Sequence, residues 1–218
     1  MEPADHEDRA RLAYDVVAED YARLGEDWFD AIPWERAMFG VFAAAVRAAG
    51  GGQVVDAGCG PGRLTGHLAE LGLDVSGIDL SPAMVEVARR THPGLRFEVG
   101  SLAALDVADG ALAGVVAWYS VIHTPPEHQL PIYRELRRVL RPGGHLLVGF
   151  QVGDECVHLE HAYGHDVSLD AHRLDPDLVE RQLGEAGFEI TARVLRGPVG
   201  PEPQRQAHLL ARRPAAGS

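Results

Sequence analysis

The stretch that decides the fold reads Val54-Val55-Asp56-Ala57-Gly58-Cys59-Gly60-Pro61-Gly62-Arg63-Leu64. An apolar run leads into a glycine-rich loop, and a helical pattern follows it. Glycine permits a left-handed backbone and lets a ligand lie against bare main chain. The helix N-terminus adds free N–H groups and partial positive charge. The stretch therefore predicts a buried strand that carries a ligand-binding loop at its carboxyl end.

Short apolar runs alternate with helical stretches beyond this loop, which indicates βαβ units and a largely parallel sheet with helices on both faces. The predicted strands are 53–57, 74–79, 95–99, 113–119, 144–150, 188–196 and about 204–212. The predicted helices are 62–71, 82–91, 126–140 and 175–186, with a short turn near 101–105. The last two strands are joined without a helix, so they should pair antiparallel. The sequence thus predicts a doubly wound α/β fold.

Three details narrow the ligand of the loop. The glycines are spaced G-x-G-x-G, which differs from the G-x-G-x-x-G of dinucleotide folds, and no phosphate-binding G-x-x-x-x-G-K-[ST] is present. The second strand ends in Asp79, and a carboxylate there can accept hydrogen bonds from both hydroxyls of a ribose. Asp56 would lie near an ammonium group. These features favour a nucleoside ligand that carries a cation and no phosphate.

Three motifs in this order resemble the class I S-adenosylmethionine (SAM)-dependent methyltransferases, and more narrowly their small-molecule branch. The motifs are Asp56–Gly62, Gly77–Met84 and Leu140–Gly144. The resemblance covers about residues 12–195 and is thinnest at 151–173. It implies a Rossmann-like, seven-stranded sheet with an antiparallel last strand, and it implies SAM as cofactor with S-adenosylhomocysteine (SAH) as product.

The resemblance also implies roles for individual residues. Asp56, Gly58, Gly60 and Gly62 would contact the methionine part of SAM, and Asp79 would bind its ribose. The other implied cofactor contacts are Leu80, Met84 and Leu102 beside the adenine, Ser101 at the adenine amine, Tyr14 and Tyr21 in a covering N-terminal helix, and Tyr119 after the fourth strand. Ser101 stands where relatives often carry an acid, and its hydroxyl is a weaker acceptor than a carboxylate.

His123 is the candidate catalytic residue. An imidazole can take the proton of a hydroxyl or phenol as it is methylated. The alternative is a wall residue beside the cofactor, because methyl transfer to many nucleophiles needs mainly alignment and desolvation.

Two segments should cover the site. Residues 1–50 predict an N-terminal helical lid with helices at 9–24 and 34–49 and frayed first residues; residues 51–213 form the SAM-binding domain. The lid insertion, at about 151–173, is polar and histidine-rich. Its histidines at 158, 161 and 165 would share one face of a helix. They are open to three interpretations, namely a substrate-facing lid, solvated surface or metal ligands, and no metal site is predicted.

An aromatic cluster between the two N-terminal helices is either a packing centre or a wall of the substrate pocket. It comprises Trp28, Phe29, Ile32, Pro33 and Trp34. Cys59 is predicted to be a small apolar filler in the loop, not a nucleophile.

The composition argues against some classes of partner and location. The 218 residues carry a formal charge of −12, which argues against a nucleic-acid partner. Neither a membrane-spanning run nor a signal peptide is recognisable, so the expected location is the cytoplasm, without membrane association. The expected reaction is in-line transfer of a methyl group to O, N or C of a small organic acceptor. The alternatives are a SAM-binding regulatory protein on the same fold and, disfavoured by the loop spacing, an NAD-dependent oxidoreductase. The acceptor and the oligomeric state are not readable from the sequence.

Overall fold

The computed structural model describes residues 3–23, 32–200 and 202–215. Its helices are α1 (Pro3–Arg23), α2 (Pro33–Ala48), α3 (Arg63–Glu70), α4 (Pro82–Thr91), α5 (Gln129–Val139) and α6 (Pro176–Glu185). Its strands are β1 (Gln53–Ala57), β2 (Asp74–Asp79), β3 (Arg96–Val99), β4 (Leu112–Trp118), β5 (Leu140–Gln151), β6 (Cys156–Ala162), β7 (His165–His172), β8 (Glu189–Arg196) and β9 (Gln206–Arg212).

Seven of these strands form one sheet in the order β3-β2-β1-β4-β5-β9-β8. Strands β3, β2, β1, β4 and β5 run parallel, whereas β9 pairs antiparallel with both β5 and β8. The predicted doubly wound, mostly parallel sheet with an antiparallel last strand is confirmed. Because β9 runs antiparallel to β5, its first residues lie beside the carboxyl end of β5, with Gln206 opposite Gln151.

Alternating strand residues bury the two faces of the sheet. Val55 and Val115 pack with residues of α5 and α6 on one face. Val54 and Val116 pack with residues of α2 and α3 on the other. Near-continuous apolar strands are expected wherever helices cover both faces, because every side chain of the strand is then buried.

The first helix begins earlier than the sequence indicated. We expected the first eight residues to be frayed, but α1 starts at Pro3 and buries His6. The segment packs against α4 and β7, so tertiary contacts extend the helix beyond its own amphipathic pattern.

The histidine-rich segment is a β-hairpin, so the helical arrangement considered for residues 158, 161 and 165 is wrong. Strands β6 and β7 pair antiparallel, and the turn between them has positive φ at Tyr163 (53°) and Gly164 (86°). A two-residue turn of this kind matches the twist of a hairpin. Within the described parts of the chain, no three His, Cys, Asp or Glu side chains are grouped to hold a metal ion.

The structure describes only part of the aromatic cluster. Trp28 and Phe29 lie outside the described residues, Ile32 is buried and Trp34 is 62% exposed. None of the helices in the described ranges is long and apolar enough to cross a membrane.

Candidate cofactor site and active site

The glycine loop bends from β1 into α3 through left-handed backbone. Gly58, Gly60 and Gly62 have φ values of 83°, 53° and 84°. A Cβ on Gly58 would lie 2.3 Å from the Cβ of Ser120, so the loop lies directly against the segment after β4. Only glycine fits where two backbones approach this closely.

Gly62 differs from the other two glycines. Gly58 and Gly60 line a cavity of about 360 Å³, whereas Gly62 is absent from its wall. It precedes α3, and a Cβ there would meet the ring of Phe97 at 2.8 Å. The predicted contact of Gly62 with the ligand is therefore not what the structure shows, because this glycine faces β3 and permits close packing there.

Asp79 is held rigidly at the cavity wall. Its Oδ2 accepts a hydrogen bond from the Gly60 amide at 2.7 Å, and its Oδ1 accepts one from the Ser81 amide at 2.9 Å. Burial raises the pKa of this carboxyl, while the amide hydrogen bonds oppose that rise. Each carboxylate oxygen has a second lone pair, which leaves the group able to accept two ligand hydroxyls.

Asp56 is a buried carboxyl at the other end of the loop. It is 1% exposed, and its Oδ2 accepts a hydrogen bond from the Thr65 hydroxyl at 2.7 Å. Burial raises its pKa to about 7. No guanidinium or imidazole of the described residues forms an ion pair with it. A lone buried acid beside a ligand cavity fits a cationic group of the ligand.

The cavity wall near β3 is apolar with one polar edge. Leu80, Met84 and Leu102, the residues predicted to lie beside an adenine, line it together with Ser101. The Ser101 hydroxyl donates to Oε1 of Glu7 at 2.7 Å, and Glu7 lines the cavity as well. The sequence interpretation missed Glu7, since nothing in the acidic N-terminus distinguishes it from its neighbours.

Tyrosines cover the loop. Tyr14 and Tyr21 come from α1, and Tyr163 comes from the turn of the hairpin. The Tyr21 ring lies edge-on to the other two, with centroids 6.0 Å from Tyr14 and 5.0 Å from Tyr163. The guanidinium of Arg63 lies 5.0 Å from the Tyr21 ring centroid. Both predicted tyrosines therefore line the cavity.

His123 is held between α1 and the hairpin. Its Nδ1 lies 2.8 Å from the Asp170 carbonyl oxygen, and its Nε2 lies 2.8 Å from the Tyr14 hydroxyl. A carbonyl oxygen only accepts, so Nδ1 carries the proton and Nε2 accepts from Tyr14. Burial lowers the pKa of His123, which favours this neutral tautomer.

Tyr119 lines the cavity, but its hydroxyl is engaged elsewhere. Its backbone has φ 53°, and its hydroxyl donates to Oε1 of Glu35 at 3.1 Å. The same oxygen accepts from Arg196 at 2.8 Å, and Arg196 also pairs with Glu202. The hydroxyl of Tyr119 therefore belongs to a buried ionic network, and only the rest of the residue faces a ligand.

The far end of the cavity is lined by residues from the ends of β4, β5 and β9: Trp118, Gln151, Gln204 and Gln206. Gln206 is 2% exposed, and its Nε2 donates to the Gln204 carbonyl oxygen at 3.3 Å. Its Oε1 is buried and accepts no hydrogen bond from the described residues. This end of the cavity thus presents an unused acceptor.

Residues 54–144 match the protein family described as "Methyltransferase domain". Over these residues the chain is similar to the class I SAM-dependent methyltransferases. This match spans the glycine loop, Asp79 and the post-β4 segment, and it confirms the resemblance seen in the three sequence motifs. The residues at the cavity fit SAM, since the buried carboxyl of Asp56, the carboxylate of Asp79 at the end of β2 and bare loop backbone all line it.

Two curated relatives match more than half of this chain. A demethylmenaquinone methyltransferase of Beutenbergia cavernae is 34% identical over 135 residues, covering 62% of this chain and 52% of that protein. A ubiquinone biosynthesis O-methyltransferase of Xanthomonas campestris is 31% identical over 139 residues, 59% of this chain and 57% of its own length. The chain thus spans about half the length of the curated relatives it matches.

A solved structure shares the fold over nearly the full length of this chain. Magnesium protoporphyrin IX methyltransferase from Synechocystis PCC 6803, crystallised with bound SAM, superposes with a TM-score of 0.71 at 20% identity. The superposition covers 95% of this chain and 97% of that one. At this identity the likeness establishes the fold of the methyltransferase domain and its surroundings.

Proposed function

We propose that the protein transfers the methyl group of SAM to O, N or C of a small organic molecule by in-line displacement. One observation carries the proposal: a single cavity is lined by the loop glycines Gly58 and Gly60, by Asp79, by the Tyr14–His123 pair and by Gln206. Bound SAM would supply an electrophilic methyl group on its sulfonium.

The sheet divides the cavity between the two ligands. Strands β1, β2 and β3 end at the loop, Asp79 and Ser101, where we place the cofactor. Strands β4 and β5 end, and β9 begins, at Trp118, Gln151 and Gln206. We place the acceptor there, beyond the close contact between Gly58 and Ser120.

Alignment and exclusion of water are the main contributions of this chain. In-line attack requires the acceptor atom to approach on the far side of the methyl group, and fixed walls reduce the entropic cost of that geometry. Tyr14, Tyr21 and Tyr163 close the cavity on the solvent side. We propose that α1 and the hairpin together act as the lid, within the predicted 1–50 and 151–173 segments.

His123 is the base of the proposed reaction, and Tyr14 relays the proton to it. The Nε2 lone pair of His123 already accepts the Tyr14 hydroxyl. As an acceptor O–H or N–H is methylated, its proton passes to the Tyr14 oxygen and the Tyr14 proton passes to Nε2. The Asp170 carbonyl then holds the imidazolium through Nδ1–H. Removal of such a base typically costs about 10²–10⁴-fold in rate.

The acceptor should carry a hydrogen-bond donor. Oε1 of Gln206 is buried without a donor, whereas Nε2 of the same side chain donates to the Gln204 carbonyl oxygen. Rotating the amide by 180° would break that hydrogen bond, so the orientation with a free Oε1 is favoured. An unpaired buried carbonyl is costly, and a ligand N–H or O–H would satisfy it. A hydroxylated or amino-bearing aromatic compound fits this end better than a hydrocarbon does.

Calorimetric titration with SAH, with NADH as the control, tests the cofactor. Micromolar SAH binding without NADH binding supports the proposal, and absence of SAH binding in ligand-free protein overturns it. Transfer of labelled methyl from SAM to a panel of phenols, catechols and aromatic amines tests the reaction. Binding without transfer to any panel member would favour the alternative, a SAM-binding regulatory protein.

A further inference from the structure

The adenine end of the cavity contains an acid that comes from the lid. Ser101 follows β3 by two residues, and its hydroxyl donates to Oε1 of Glu7, a residue 94 positions earlier in the chain. Both residues line the cavity beside Leu80 and Leu102. The carboxylate of Glu7 therefore lies at the position for which the sequence alone predicted only Ser101 as a contact of the adenine amine.

The order of strands β3, β2 and β1 indicates that the adenine of the cofactor would lie beside Glu7 and Ser101. Asp79 ends β2 and would hold the ribose, and the loop after β1 would hold the amino-acid part. The base of the nucleoside then lies on the opposite side of the ribose, toward β3, which neighbours β2 in the sheet. The apolar side chains of Leu80, Met84 and Leu102 there suit the faces of a flat ring.

The carboxylate of Glu7 retains its acceptor capacity. Arg11, one turn further along the same helix, pairs with Asp8 and Asp15, and Arg9 pairs with Asp170. Oε2 of Glu7 accepts no hydrogen bond from the described residues, and Oε1 accepts only that of Ser101. A carboxylate is a stronger acceptor than a hydroxyl, so Glu7 outranks Ser101 as partner for an amine.

We propose that Glu7 accepts a hydrogen bond from the exocyclic amine of the cofactor's adenine, so that docking of the lid helix is part of cofactor recognition. The proposal rests on the proposed use of SAM. An amine donates to a carboxylate, whereas the carbonyl oxygen at the same position of hypoxanthine repels it. The site should therefore distinguish the two bases through a residue of the lid.

The test compares SAH with S-inosylhomocysteine, in which a carbonyl replaces the adenine amine, by calorimetry. The wild-type protein should bind SAH about 10–100-fold more tightly, the usual effect of one hydrogen bond to a charged group. Glu7→Gln should reduce this ratio to a few-fold, since an amide can face either base. Circular dichroism confirms that each variant is folded.

Asp8→Asn is the matched control. It removes a carboxylate from the same turn of α1, but Asp8 is exposed and pairs only with Arg11 among the described residues. The control should keep the wild-type ratio. Equal affinity of the wild-type protein for both ligands, or a full ratio in Glu7→Gln, overturns the inference about Glu7. Failure of the wild-type protein to bind SAH overturns the proposed function itself, which is a different outcome.

Discussion

The Tyr14 hydroxyl lies 2.8 Å from Nε2 of His123, which links the lid helix to the end of β4. These residues are 109 positions apart in sequence, and the hairpin completes the arrangement through the Asp170 carbonyl. Three separate segments thus meet at one imidazole, so the lid and the proposed base are parts of the same structure.

Tyr14→Phe should weaken this arrangement measurably. The donor to Nε2 favours the neutral imidazole, so its loss should raise the pKa of His123 from its lowered value. It should also destabilise the fold by about 1–3 kcal/mol, because a buried acceptor is left unpaired. NMR titration of the imidazole and thermal unfolding measure the two effects. Tyr163→Phe is the control, as that ring packs on Tyr21; an unchanged His123 pKa in Tyr14→Phe would contradict the proposed tautomer.

His123 should also contribute to the acid sensitivity of the fold. Its pKa is lowered in the folded state, so the unfolded chain takes up a proton first as the pH falls. The contribution is fully present above about pH 6.5, the ordinary histidine value, and is lost at lower pH. Chemical denaturation between pH 5 and 8, compared with His123→Asn, should show a shallower acid decline in the variant.

Asp79→Asn should lower SAH affinity by roughly 10–100-fold. The variant lacks the negative charge that would attract the ribose hydroxyls. Its side-chain NH2 group would also face the N–H of Gly60 or Ser81, where two donors repel each other. Calorimetry measures the change. Asp74→Asn, at the exposed start of the same strand, removes an equal charge and should bind SAH normally. Near-wild-type affinity in Asp79→Asn would exclude the ribose assignment.

Asp56 should couple cofactor binding to proton release. Its pKa is raised to about 7, so the folded apo-protein holds a proton that the unfolded chain has lost. The resulting stability is present below the unfolded value, near 4, and is lost as the pH rises through about 7. The ammonium of SAH favours the ionised form, so binding near pH 7 should release a proton. Calorimetry in buffers of different ionisation enthalpy detects it, and Asp56→Asn should abolish it.

The buried Arg196 network should be a strong determinant of stability. The Arg196 side chain is 4% exposed and bridges Glu35 and Glu202. Arg196→Met leaves buried carboxylates without their cation, which should cost about 3–5 kcal/mol. Arg193→Met, on the same strand but paired with exposed Asp177, should cost less than about 1 kcal/mol. Denaturant titration compares the two, and equal losses would contradict the role of the network.

The hairpin should depend on a hydrogen bond with α1. His165 Nε2 lies 2.7 Å from the Asp20 carboxylate. His165→Gln should increase hydrogen exchange in β6 and β7 and speed SAH dissociation several-fold. His161→Gln is the control, because His161 pairs with Asp166 inside the hairpin. Identical exchange in both variants would argue against docking through His165.

Residues whose placement follows from the local sequence pattern were predictable. The glycine loop, Asp56 and Asp79 follow directly from strand ends and spacing, and all but Gly62 line the cavity as expected. The predicted strands agree with the observed ones because buried parallel strands are short, continuous apolar runs. Such a run is recognisable without knowing which strands lie beside it.

Residues that act through distant partners were not predictable. The hairpin within the predicted lid segment at 151–173 was not recognisable, because its pairing is set across a turn and its polar side chains carry no clear alternation. Glu7 and the orientation of Tyr119 depend on contacts with Ser101 and Glu35, which lie 94 and 84 positions away. The sequence by itself determined the fold class, the cofactor loop and its acids, since these are local patterns. Only the tertiary structure decided which lid residues reach the cavity, because packing of α1 and the hairpin over the sheet brings them there.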